Sequence, residues 1–117
     1  MVPQVAQRVE AILPKQSVKQ EIAKKTGSLP PIFSEIARCE SGGSQFYKNG
    51  KVIRGHITPN DIGKYQINMN VWGATAKRLG INVYTAKGNE QMALHIYNLY
   101  GTKPWSASKH CWKIALR

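Results

Sequence analysis

Acidic side chains are scarce in this chain of 117 residues, which has six Asp and Glu against 17 Lys and Arg and a net charge of +11. Such an excess favours accumulation on a polyanion through long-range attraction that salt weakens. The basic residues are spread from Arg8 to Arg117 and no nucleic-acid motif is present, so nucleic acid is not the expected partner. An anionic bacterial cell wall fits the charge, and a merely solvated basic surface remains the alternative.

Long apolar runs are absent as well. No stretch approaches the length needed to span a bilayer, and residues 1–5 lack the charged and then hydrophobic regions of a signal peptide. An exported protein would need a signal or anchor that this chain does not contain. Low-complexity segments are also missing, so we expect an ordered domain over residues 1–117, acting as a monomer, with residues 29–117 as the motif-bearing core.

Metal and cofactor motifs are missing too. The three histidines have no metal-ligand spacing and the two cysteines, Cys39 and Cys111, are too few and too distant for a zinc set, so we expect no metal and no cofactor. The cysteines could instead form a structural disulfide, which would place the protein outside the reducing cytosol. Two buried free thiols are the alternative.

What is present is mainly helical periodicity. Two short helices are predicted within residues 1–28, ending at Pro14 and Gly27. A third begins at Pro30 and Pro31, and a hairpin follows, with strands at 45–47 and 52–54 around an Asn-Gly turn. Two more helices are predicted over 70–79 and 89–100 before a last short turn capped by Ser106. The expected fold class is α+β, mainly α.

The core-facing positions of the later helices follow from the same periodicity. We expect the helix over 70–79 to face the core with three side chains and the helix over 89–100 with three more: Trp72, Ala76 and Leu79, and Met92, Ile96 and Leu99. Trp105 and Trp112 are also expected in the core rather than on a binding surface, although Trp105 follows Pro104 at a position suited to a rim.

Glu40 is the first candidate catalytic residue. It follows Phe33, Ile36 and Ala37 at helical spacing, so its carboxyl shares the apolar face of the third helix. Partial desolvation there raises the pKa of a carboxyl, which suits a proton donor near neutral pH. The structural alternative is a helix-terminal carboxylate that bonds to Ser41 or to a backbone amide.

Asp61, the only aspartate of the chain, is the second candidate. It lies in a polar turn after Pro59 and Asn60, the setting of an ionised carboxylate. Glycoside hydrolysis typically needs one carboxylic acid to protonate the leaving oxygen and one carboxylate to support the oxocarbenium-like transition state, and this pair suits those roles. An ordinary turn residue is the alternative for Asp61.

Three short motifs carry a resemblance to a known family. Glu40-Ser41, Gly63-x-x-Gln66-Ile67 and Tyr97-Asn98-x-x-Gly101 resemble, in this order, the motifs of the lysozyme-like lytic transglycosylase superfamily. The segment 61–68 is similar to the part of animal-type lysozymes that carries their second carboxylate. The placement of Cys39, and of Cys111 after Pro104-Trp105, is similar to that in the resuscitation-promoting factors, whose corresponding cysteines are bridged.

The resemblance implies a lysozyme-like fold with a small hairpin beside the cleft, Glu40 as general acid, and a Cys39–Cys111 disulfide. It implies a substrate-binding cleft lined by seven residues: Ser41, Tyr65, Gln66, Asn68, Tyr97, Asn98 and Trp105. Tyr65 stands where the family has a methionine-like residue and offers a hydroxyl. The interval between Glu40 and Asp61 is longer than in lysozymes, so their separation stays open.

The expected function is a peptidoglycan-cleaving muramidase acting on the β-1,4 bond between N-acetylmuramic acid and N-acetylglucosamine. Its partners would be peptidoglycan glycan strands and, by charge, anionic wall polymers, outside the cytoplasm. Lytic transglycosylases work with one glutamate and give anhydro products, so that reaction is the first alternative, while Asp61 favours hydrolysis. A non-catalytic basic module that binds cell wall or another polyanion is the alternative of a different class.

Overall fold

The computed structural model describes residues 29–116 and is mainly helical with one small antiparallel sheet, which confirms the α+β, mainly α, class. The helices expected within residues 1–28 lie outside the described residues. The α-helices are α1 Ile32–Ser41, α2 Met69–Leu79, α3 Ala86–Tyr100 and α4 Lys109–Trp112. The strands are β1 Asp61–Ile62 and β2 Ile67–Asn68, and 3-10 helices cover Lys103–Ser108 and Lys113–Leu116.

Helix α1 carries the predicted apolar face. It follows Pro31 and ends at Gly42, whose φ of 74° is a left-handed conformation that glycine adopts without strain. The amides of Gly42 and Gly43 close the helix by donating to carbonyl groups of its last turns. Phe33, Ile36 and Ala37 are buried, so the predicted face is confirmed and Glu40 lies in the final turn beside it.

The hairpin differs from the prediction. The Asn-Gly turn is present, since the amide of Gly50 donates to the carbonyl of Tyr47, but residues 45–47 and 52–54 pair only at one isolated bridge, Phe46 with Val52. The continuous pairing lies further on, where Asp61 faces Asn68 and Ile62 faces Ile67. The predicted hairpin is thus present in a short form, with backbone hydrogen bonds from Tyr47 to Lys51 and from Ile53 to Gln45. The sheet itself forms where Ile62 and Ile67 are almost completely buried, whereas Phe46 is 45% exposed.

Two helices pack behind the sheet with well-defined caps. Asn68 caps α2 by accepting a hydrogen bond from the amide of Val71. Thr85 caps α3 by accepting from the amide of Gly88, so α3 begins before the predicted position 89. Leu99 is 41% exposed, so its predicted core position was wrong: the last turn of α3 extends past the core, and its neighbours Asn98 and Tyr100 are exposed too.

Two buried amide side chains fix the turn between β1 and β2. Asn89 accepts a hydrogen bond from the amide of Tyr65 and donates to the carbonyl groups of Ile62 and Val83. Gln45 accepts from the amide of Lys64. A buried amide is stabilising only when such partners are met, and here they hold one turn of the cleft wall in a single arrangement.

The C-terminal segment is fastened to α1 by a disulfide. Cys39 and Cys111 are bridged, with Cα atoms 6.0 Å apart, which confirms the predicted pairing. The sequence separation is 72, and closing a loop of this length stabilises the fold by about 4 kcal/mol in the chain-entropy model. Ser106 does not cap the following helix as predicted, since its hydroxyl donates to the carbonyl of Lys103 and no side chain caps α4.

Candidate active-site cleft

One cleft gathers both predicted carboxylates. It has a volume of about 560 Å³ and lies between the end of α1, the small sheet, the start of α2 and the 3-10 helix Lys103–Ser108. Polar and aromatic groups share its walls. Its lining residues are Glu40, Asp61, Gln66, Ile67, Asn68, Val71, Trp72, Ile96, Tyr100, Lys103, Pro104, Trp105 and Ala107.

Glu40 is a partly buried carboxyl at the end of α1. Burial at the end of α1 raises the pKa of its carboxyl above the ordinary value, the nearby charge of Asp61 raises it further, and a hydrogen bond from Ser108 opposes both. Ser108 Oγ lies 2.5 Å from Glu40 Oε2. A raised pKa favours the protonated form of a carboxyl, the form that can transfer a proton to a leaving oxygen.

Asp61 is held in the same cleft by the sheet. Its Oδ1 accepts a hydrogen bond of 2.8 Å from Nδ2 of Asn68, its partner across the strands. The longer interval after Glu40 therefore does not remove Asp61 from the site, because residues 45–60 loop out and the chain returns at β1. The pKa of Glu40 is raised mainly by burial, and the charge of Asp61 adds to that effect.

Gln66 also lines the cleft, in an unusual backbone conformation. Its φ of 50° makes it a non-glycine residue in the left-handed region, at the end of the turn that begins with Gly63. Its Nε2 donates to the carbonyl of Gly63 at 2.9 Å, which orients the amide. Such strain persists only where surrounding contacts determine the conformation, and it is common at binding sites.

Trp105 forms part of the cleft and part of the core. It is 4% exposed, and its indole nitrogen donates to the carbonyl of Tyr65 at 2.9 Å. Together with Gln66 and Asn68, it makes three of the seven predicted binding residues that line the cleft.

The other four predicted binding residues lie outside the cleft lining. Ser41 donates to the carbonyl of Lys64 and so ties α1 to the β1–β2 turn. Tyr65 is 2% exposed and packs on Phe33, and burial raises its pKa to about 12, so its hydroxyl keeps its proton. Tyr97 meets Phe33 edge to face, and Asn98 is exposed on α3.

Sequence reasoning missed several groups of the cleft. Trp72, predicted in the core, is only partly buried and lines the cleft beside Tyr100, with ring centroids 5.7 Å apart. Lys103 brings a positive charge, and Ser108 bonds directly to Glu40. The aromatic residues of α2 and α3 are a sequence signal for Trp72 and Tyr100. No sequence pattern marks Ser108, because its contact depends on how the C-terminal segment folds back.

Neither a metal site nor a membrane span is found in the described part of the chain. Among residues 29–116, no three His, Cys, Asp or Glu side chains come together as a metal site would require. No helix in that range is long and apolar enough to cross a bilayer.

Comparisons of the chain with protein-family models, with curated proteins and with solved structures returned no match. We therefore infer the function of this protein from the chemistry of the cleft and from the three short motifs.

Proposed function

We propose that this protein is a muramidase that cleaves the β-1,4 bond between N-acetylmuramic acid and N-acetylglucosamine in peptidoglycan. The observation that carries the proposal is the raised pKa of Glu40 within a cleft that also contains Asp61. Two carboxylates with different surroundings in one cleft are what acid-catalysed cleavage of a glycoside requires. The proposal includes membership of the lysozyme-like lytic transglycosylase superfamily.

Glu40 acts as the general acid. Its proton passes to the glycosidic oxygen as the bond from the anomeric carbon to that oxygen breaks, and the bonding electrons leave with the oxygen. Asp61 stabilises the positive charge that develops at the anomeric carbon. Water then adds to that carbon and gives its proton to the Glu40 carboxylate, which forms the reducing end and restores the acid. The hydrogen bond from Asn68 to Asp61 supports the role of Asp61 because it fixes one carboxylate oxygen and thereby the direction of the other.

The walls of the cleft suit a sugar chain. Trp72, Tyr100 and Trp105 supply apolar faces, while Gln66 and Asn68 supply amide groups, the combination that binding sites use to hold a polar ligand in one orientation. Lys103 places one positive charge in the cleft, where it can pair with the lactyl or peptide carboxylate of muramic acid. Chitin, which lacks such a carboxylate, would gain nothing from Lys103.

Charge and cross-linking favour a place of action outside the cytoplasm. The net charge of +11 attracts the chain to anionic wall polymers. Cys39 and Cys111 form a disulfide. Disulfides persist in oxidising surroundings and are rare in the cytosol. Peptidoglycan is itself extracytoplasmic, so substrate and compartment agree.

The test is the release of muropeptides by wild type and by Glu40→Gln, followed by mass spectrometry. Gln keeps the shape of the side chain but cannot donate a proton as an acid, so we expect release to fall by about 100-fold or more. Glu35→Gln is the matched control, because Glu35 lies on the same helix, pairs with Arg38 and does not line the cleft. The control should retain wild-type release.

The products separate the alternatives. A reducing-end N-acetylmuramic acid identifies hydrolysis, whereas an anhydro end would identify a lytic transglycosylase with Glu40 as both acid and base. If Glu40→Gln folds and clears cell wall as well as wild type, catalysis by Glu40 is refuted and binding through charge becomes the better account. Tight, salt-sensitive DNA binding without muropeptide release would favour a nucleic-acid-binding domain.

A further inference from the structure

Ser108 makes a contact that the two-carboxylate scheme does not use. Its hydroxyl oxygen lies 2.5 Å from Glu40 Oε2 and 3.2 Å from the backbone oxygen of Trp105. A hydroxyl has one hydrogen to donate and two lone pairs that accept. Ser108 therefore cannot donate fully to both oxygens, and the contact that receives the hydrogen depends on whether Glu40 carries a proton.

Each protonation state of Glu40 has its own hydrogen-bond pattern. Ionised Glu40 has only acceptor oxygens, so Ser108 donates to it in a charge-assisted bond. Protonated Glu40 can donate its own O–H to Ser108 Oγ, and the hydroxyl hydrogen of Ser108 then points to the carbonyl of Trp105. The two patterns differ by the proton of Glu40 and by a rotation of the Ser108 O–H bond, and no heavy atom has to move.

We propose that Ser108 is the positioning residue for Glu40, holding the same carboxyl oxygen in place before and after the proton is transferred. This inference rests on the proposed function, in which Glu40 is the general acid. No covalent bond forms to Ser108. For the transfer, the acidic hydrogen of Glu40 turns from Ser108 to the glycosidic oxygen and passes to it as the bond to the anomeric carbon breaks. The new carboxylate then accepts the hydrogen bond from Ser108.

Neighbouring contacts hold Ser108 in place beside Glu40. Trp105, which supplies its second acceptor, is itself held by donating to the carbonyl of Tyr65 and by accepting from the indole nitrogen of Trp112. The Cys39–Cys111 disulfide joins the residue next to Glu40 to the helix that follows Ser108. The donor and the carboxyl are thus fixed to each other by covalent and buried contacts.

Few other charges compete for Glu40 in the described structure. Asp61 and Lys103 share its cleft. Lys109, His110 and Lys113 belong to the helices packed against α1, and all three are exposed. Within residues 29–116, the Glu40 carboxyl accepts a hydrogen bond from the side chain of Ser108. Removing the Ser108 hydroxyl therefore removes this bond.

The test compares Ser108→Ala with Ser106→Ala. Ser106 is a control in the same 3-10 helix, and its hydroxyl donates a hydrogen bond to the carbonyl of Lys103. The side-chain carboxyl carbon of Glu40 is followed by NMR across pH, which reads its protonation whether or not the protein is an enzyme. Because Ser108 stabilises the charged form, we expect Ser108→Ala to raise the pKa of Glu40 and Ser106→Ala to leave it unchanged.

Activity adds a second readout. We expect kcat for muropeptide release to fall about tenfold in Ser108→Ala, the effect of losing one hydrogen bond to a charged group, and the alkaline limb of its pH profile to move to higher pH. Ser108→Thr, which keeps the hydroxyl, should restore both, while Ser108→Val, which has the shape of Thr without it, should not. This Thr and Val pair also decides the question if Ser108→Ala fails to fold.

The outcomes are distinct. If the Glu40 titration is the same in wild type, Ser108→Ala and Ser108→Val, the role of Ser108 is refuted even if the enzyme is active. If Glu40 titrates as expected in all variants but none, wild type included, releases muropeptides, the proposed function fails while the Ser108 contact stands.

Discussion

Asn68 donates a 2.8 Å hydrogen bond from Nδ2 to Oδ1 of Asp61, and the Oδ1 atom of the same side chain caps α2 by accepting from the amide of Val71. One amide thus orients a carboxylate in the cleft and fixes where the next helix begins. The two residues face each other across the only continuous strand pairing in the described chain. The position of Asp61 is consequently tied to the fold and not to a free loop.

Asp61→Asn should lower the pKa of Glu40, because the negative charge of Asp61 raises it. The alkaline limb of the pH profile should therefore move to lower pH, the opposite direction from Ser108→Ala. We also expect kcat to fall about 100-fold, since the transition state loses a stabilising charge. Asn can still accept the hydrogen bond from Asn68, so geometry is retained. Glu90→Gln is the control, because it also removes one negative charge but Glu90 does not line the cleft. It should leave the pKa of Glu40 and kcat unchanged.

Stability should also depend on Glu40 through its protonation. A carboxyl whose pKa is higher in the folded than in the unfolded chain contributes stability that is full below the unfolded value and is lost as pH rises through the folded value. Glu40→Gln mimics the protonated form. Urea unfolding from about pH 3 to pH 8 should therefore show wild type losing stability relative to Glu40→Gln as pH rises above the ordinary range of a glutamate. A difference that is independent of pH would contradict the raised pKa.

The disulfide should stabilise the domain and organise the cleft. Replacing Cys39 and Cys111 together by Ala should lower the free energy of unfolding by about 2 to 4 kcal/mol. Ser108 and Trp105 lie on the segment that the bridge fastens, so activity should fall as well. The free energy of unfolding is measured by denaturant unfolding of wild type with and without reductant. Equal unfolding midpoints would show that the disulfide does not stabilise the domain.

Trp72 should contribute to substrate binding and not to chemistry. Its ring lines the cleft against Tyr100, and Trp72→Ala removes a face that contacts ground state and transition state alike. KM should rise about fivefold while kcat changes little, as expected for roughly 1 kcal/mol of lost aromatic contact. Trp72→Phe should recover most of the binding. Phe46→Ala, an exposed aromatic outside the cleft lining, serves as the control and should leave KM unchanged.

Local sequence patterns predict α1 to α3 and the place of Glu40 at the end of α1. The periodic spacing of Phe33, Ile36 and Ala37 fixes one face of α1, and glycines at 42 and 80 end their helices because each occupies a left-handed conformation. These features depend on neighbours a few residues away, which a linear pattern records. Partial burial of Glu40 follows from the same spacing and is confirmed by its half-buried position, which raises the pKa of the carboxyl.

Tertiary structure decided which side chains reach the cleft. Trp72 faces it and Tyr65 does not, although both lie in segments with clear patterns, because each choice depends on the packing of separate elements. The continuous strands formed at Ile62 and Ile67, beyond the short hairpin at the Asn-Gly turn, because these residues are buried and β2 packs against α3. Ser108 meets Glu40 where the C-terminal segment packs back against α1, to which the Cys39–Cys111 disulfide also joins it. Contacts between residues so distant in sequence leave no periodic signal, so only the folded chain reveals them.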